Sequence, residues 1–68
     1  MDTDILQDIL ERKAALLARP GQSWSESVTQ AAAALVADVA GRWSPGGVWQ
    51  LRSGLAQASA IVGESAAR

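Results

Sequence analysis

Asp38 is the one acid set inside the apolar stretch from Ala31 to Ala40, and it is the first residue to weigh for chemistry. The other early acids, Asp2, Asp4 and Asp8, stand at a helix start, where the positive end of the helix dipole accounts for them. Asp38 therefore has no carboxylate neighbour with which to share acid–base work. Its plainer reading is a solvated position opposite the seam of Val28 and Leu35. The sequence has no His, no Cys and no Tyr, so the usual proton shuttles and the best nucleophiles are missing. Oxygen ligands for a metal would have to come from acids spread far apart, without an EF-hand loop. Gly46-Gly47 follows no strand, which argues against a phosphate-binding loop. The expectation is a protein that is not an enzyme, with no catalytic residue, no metal and no cofactor.

Recognition chemistry is better supplied, and it concentrates between Ala37 and Gly54, A-D-V-A-G-R-W-S-P-G-G-V-W-Q-L-R-S-G. Trp43, Trp49 and Arg52 are of the residue types that dominate protein interfaces. With Leu55 they make a candidate partner-binding patch. The alternative for the two indoles is that they fill space which alanines leave in a core.

The same segment resembles the core of a helix-turn-helix. Ala37 is a small residue four before the turn glycine Gly41, Ser44 opens the next helix, and Val48 and Leu51 follow as buried anchors. The resemblance covers about a quarter of the chain, and its spacing from Gly41 to Val48 is one residue longer than usual. It implies that Gln50, Arg52 and Ser53 face a DNA major groove, with Arg52 reading guanine and Gln50 adenine. The acidic balance weighs against this, because Arg42 and Arg52 are the only bases between Gln22 and Ser65 and several phosphates need more.

Three helices are expected to position these residues, at about 3–18, 24–41 and 46–62. In the first, Ile5, Leu6, Ile9, Leu10, Leu16 and Leu17 recur with helical spacing, acids lead and bases follow, and Asp8 pairs with Arg12 at i,i+4. Pro20-Gly21 stops it. Ser23-Trp24-Ser25-Glu26 reads as a capping box for the second helix, with Trp24 packing over the Pro20-Gly21 turn. Val28, Ala32, Leu35 and Val39 give that helix an apolar seam, which Val36 and Trp43 widen. A second line, Ala33, Ala37 and Gly41, carries only small side chains and forms a helix-packing groove open to another backbone. Ser44-Pro45 suits an N-cap and first position for the third helix. Its seam is Val48, Leu51, Leu55, Ala58 and Val62, with Gly54 as a weak point costing about 1 kcal/mol against Ala. Gly63 is expected to end this helix, with 64–68 fraying.

A chain of 68 residues holds one domain, spanning 1–68, and buries a modest share of its surface. Such chains are usually stapled by disulfides, metals or self-association. With no Cys and no His, self-association remains, and a homodimer with the second helix central is the default. Net charge is −1 without a charged field. The apolar run Ala31–Ala37 falls far short of the roughly 20 residues of a membrane span. The early aspartates stand where a signal peptide carries positive charge, so a cytoplasmic protein is expected. The reading that follows is an all-α three-helix bundle completed by self-association. It serves as a protein–protein interaction or assembly module of the regulatory, inhibitory or phage-type accessory kind, docking on a larger partner.

Overall fold

A computed structural model describes residues 3–65 and shows three helices, α1 (Thr3–Leu17), α2 (Trp24–Ala40) and α3 (Pro45–Ser65). Short connections make successive helices run in opposite directions, and each packs on the other two to a similar extent. The second helix is thus no more central than its neighbours. Asp2 and residues 66–68 lie outside the described residues.

Local signals set the helix boundaries. Ser23 Oγ accepts from the Glu26 amide at 3.1 Å, the first half of the expected capping box. Ser44 Oγ accepts from the Gly47 amide at 3.2 Å, with Pro45 at the first helical position where a missing N–H costs nothing. The turn before α2 uses Gly21 at φ 83°, the left-handed region that glycine enters freely. Gln22 closes it: its amide donates to the Arg19 carbonyl at 3.0 Å, and its Oε1 accepts from the Arg19 amide at 3.3 Å. The expected stop at Gly63 does not occur, and α3 continues to Ser65. A single helical glycine costs only about 1 kcal/mol, too little to end a helix whose preceding turn is anchored by buried Val62.

The core is one cluster: Leu6, Leu10 and Ala14 from α1, Val28 and Ala31 from α2, and Leu51, Leu55, Ala58 and Val62 from α3. Four of the five seam positions expected on α3 are therefore buried, while Val48 is half-buried. On α2 the buried line is Val28 with Ala31, and Ala32, Leu35, Val36 and Val39 pack at its side. On α1 the expected six-residue stripe divides. Leu6 and Leu10 are buried and Leu17 is half-buried, whereas Ile5, Ile9 and Leu16 are exposed. Each exposed position precedes a more buried one by a single residue, so the two sets lie about 100° apart around the helix.

Two polar contacts knit the ends of the bundle. Trp24, expected over the Pro20-Gly21 turn, reaches α3, where its Nε1 donates to the Val62 carbonyl at 3.1 Å. The buried Ser27 hydroxyl lies 3.1 Å from Gln22 Oε1 and 3.3 Å from the Ser23 carbonyl, so the one buried polar side chain among the described residues is satisfied.

Candidate functional site

Because α1 starts where α2 ends and α3 begins, the first turns of α1, the last turns of α2 and the turn into α3 meet at one end of the bundle. Here the core line of α1 points inward, and its second apolar line is left beside a gap between α1 and α2. The result is an apolar cleft of about 410 Å³. Ile5 and Ile9 form one wall, Leu35 and Val39 the other, Leu6, Leu51 and Leu55 the floor, and Trp43 closes one side. Among the described residues, Asp38 is the sole charged one lining it.

The side chain of Asp38 is exposed on the rim, and among the described residues it makes no salt bridge. Its backbone carbonyl is occupied: Arg42 Nε donates to it at 3.1 Å and Arg42 Nη2 at 2.7 Å. The Arg42 guanidinium therefore closes the C-terminal end of α2, where cations are favoured by the dipole and carbonyls lack partners. The amides of Arg42 and Trp43 both donate to the Val39 carbonyl, at 3.0 and 2.9 Å. That tight turn fixes where the Trp43 indole leaves the backbone.

Trp43 is shared with a second hollow, of about 340 Å³, lined by Ala40, Pro45, Val48, Trp49 and Arg52 besides Trp43. Of the four residues expected to form a partner-binding patch, three, Trp43, Trp49 and Arg52, come together there, and all three are exposed. Trp49 is 68 % exposed. The fourth, Leu55, is a buried core residue on the floor of the neighbouring cleft. The two indoles are thus surface features and not core filling.

The remaining candidates separate by face. Ala33, Ala37 and Gly41 are all exposed, so neither α1 nor α3 uses their line. The close approach within the chain is made at Gly54 instead, where an added Cβ would stand 2.6 Å from Leu6 Cδ1. Gln50 and Arg52 are exposed on α3 and Ser53 is half-buried. Ala37, the small residue of the helix-turn-helix resemblance, faces solvent and not the following helix.

The contribution of Ile5 and Ile9 to a surface cleft, as opposed to the core, has a sequence signal: six large apolar residues on a 15-residue helix exceed one buried stripe. Ser27 has none, since serine is mostly exposed. Among the described residues no three or more acids, His or Cys gather as a metal site, and no helix is long and apolar enough to cross a membrane. No protein-family model, curated protein or solved structure matches the chain.

Proposed function

We propose that the chain is a non-enzymatic protein–protein interaction or assembly module, of a regulatory, inhibitory or accessory kind, that docks on a larger protein partner. One observation carries the reading: Trp43 is the common wall of two adjoining apolar hollows, so that Ile5, Ile9, Trp43 and Trp49 make a continuous apolar surface at one end of the bundle. Scattered apolar residues on a surface need no explanation, but a contiguous patch with a polar rim marks a contact site. Indole and guanidinium groups are enriched among residues that carry binding energy, and Trp49 and Arg52 border one hollow. The lack of His, Cys and Tyr supports the non-enzymatic part.

The test is site-specific photo-cross-linking in the native host. A photoreactive residue replacing Trp49 should give a discrete adduct with another protein. The same residue replacing Gln30, an exposed position away from both hollows, should give none. No adduct from either position, or equal labelling from both, overturns the reading.

A second reading, a helix-turn-helix-like DNA-binding regulator, is favoured by the exposure of Gln50 and Arg52 on the helix that follows the turn. It has few cations to work with, since Arg42 and Arg52 are the only bases between Gln22 and Ser65.

A further inference from the structure

The outer line of α1 is the largest apolar feature that the core does not use. Ile5 is 58 % exposed, Ile9 42 % and Leu16 82 %, the last being the most exposed large apolar side chain among the described residues. Their spacing of i, i+4 and i+11 places all three on one face. Ile5 and Ile9 are a wall of the cleft, while Leu16 stands about two turns farther along, outside it. The helix thus carries a hollow at one end of this face and a projecting side chain at the other.

Charge is divided along the same helix. Asp4 and Asp8 lie in its first half, while its second half holds Glu11, Arg12 and Lys13 and is net positive. Laid parallel on a copy of itself, α1 sets like charge against like. Laid antiparallel, it sets the acidic half of each copy against the basic half of the other, with Ile5 of one copy level with Leu16 of the second and Ile9 level with the aliphatic stem of Arg12. The Asp8–Arg12 ion pair, 3.3 Å apart and exposed, then lies near the two-fold axis, where it meets its own counterpart. The basic half of the second copy also comes over the cleft, where the one charge among the described residues is the carboxylate of Asp38.

We propose that a second copy of this chain docks antiparallel on α1, each copy placing Leu16 in the other's cleft and Lys13 toward the other's Asp38. The contact is isologous: the same surface serves both copies, so it closes as a dimer and does not propagate. This inference rests on the reading of the chain as an assembly module and goes beyond it, because it names the occupant of the cleft and leaves the hollow at Trp49 and Arg52 for another partner. The face from Ile5 to Leu16 is about 17 Å long on a helix of about 22 Å. A stable interface buries about 800 Å² on each partner, and one helix face with a cleft reaches the low end of that range. The dimer is therefore concentration-dependent.

Sedimentation velocity on the full chain over a wide concentration range tests this. The mass should rise from 7.1 kDa toward twice that value. Leu16→Glu should hold the chain at the monomer mass with its helical circular dichroism unchanged, since Leu16 contributes nothing to the core. Asp38→Lys and Lys13→Asp should each weaken the dimer about ten-fold, and together should restore it. A wild-type chain that stays monomeric at every concentration overturns the proposal, and so does a Leu16→Glu dimer as strong as the wild type. Failure of the charge swap to restore association overturns the antiparallel pairing of Lys13 with Asp38. The cross-linking outcome at Trp49 is independent of all three, so loss of the dimer and loss of the larger partner are told apart.

Discussion

Gly54 and Leu6 share one space: an ideal Cβ on Gly54 would lie 2.6 Å from Leu6 Cδ1, well inside van der Waals contact. The glycine is therefore where α3 lets the α1 core residue through, and a wasted helical position from the standpoint of propensity becomes a packing device. Replacing it sets two effects against each other. Ala at position 54 gains about 1 kcal/mol of helix propensity, while moving a buried leucine costs about 1–3 kcal/mol. In a denaturant titration Gly54→Ala is expected to be neutral or destabilising in the wild-type background. In a Leu6→Ala background, which removes the clashing atom, the same change should stabilise by about 1 kcal/mol. Equal effects in both backgrounds would show that the two residues are not coupled.

The Trp24 indole donates across the bundle to the Val62 carbonyl, near the end of the described part of α3. Trp24→Phe keeps an aromatic ring and removes the donor. The expected cost is about 1 kcal/mol, read as a shift of the urea midpoint with an unchanged slope. Hydrogen exchange should rise in the final turns of α3 before it rises in α1. No change in either would assign the tryptophan a role in packing alone.

Ser23 and Ser44 cap helices at opposite ends of α2, about 26 Å apart along its axis. Alanine at either site leaves first-turn amides without their side-chain acceptor, at about 1 kcal/mol each. Groups so far apart and without shared partners add. The double variant should lose the sum of the two single losses in thermal or chemical denaturation, and a marked departure from that sum would contradict independent capping.

These caps mark what was legible in the sequence. Helix starts were readable because Ser23-x-x-Glu26 and Ser44-Pro45 are local chemistry, and the α3 seam was readable because Leu51, Leu55, Ala58 and Val62 repeat at threes and fours. What could not be read was which of two competing stripes wins. On α1, Leu6 with Leu10 and Ile5 with Ile9 are equivalent as patterns, and only the placement of α2 and α3 decides that the first pair is buried and the second borders a cleft. The small line Ala33, Ala37 and Gly41 looked like the place for close approach, yet the chain makes that approach at Gly54, because the line faces away from both neighbours. The bond from Trp24 to Val62 is not legible either, since a contact across 38 residues leaves no trace in short-range spacing.

Leu10 and Leu16 give a direct measure of that division within one helix. Leu10 is fully buried, so Leu10→Ala leaves a cavity and should cost about 2–5 kcal/mol. A domain of this size has a total stability of only about 3–10 kcal/mol, so that variant should melt near or below ambient temperature. Leu16→Ala, at micromolar concentration or below, should change stability by less than about 0.5 kcal/mol. A large loss from Leu16→Ala at high dilution would mean that the residue packs within its own chain.

Arg42 decides how much positive charge the exposed face near Gln50 and Arg52 can offer to DNA. Its Nε and Nη2 both donate to the Asp38 carbonyl, at 3.1 and 2.7 Å, in a two-pronged contact that a lysine cannot copy, while its charge stays at the surface. Arg42 and Arg52 are the two bases of the segment Ala37 to Gly54. Neutralising two phosphates gives a slope of about −1.8 in the logarithm of affinity against the logarithm of salt, whereas strong non-specific binders have slopes several times steeper. Fluorescence anisotropy with a random duplex at low salt is therefore expected to be flat up to high protein concentration, and Arg52→Ala should leave it flat. Arg42→Lys should still loosen the last turn of α2, seen as faster amide exchange at residues 42 and 43. Salt-sensitive duplex binding abolished by Arg52→Ala would reverse the order of the two functional readings, because it would show that α3 reads DNA with fewer cations than phosphate neutralisation requires.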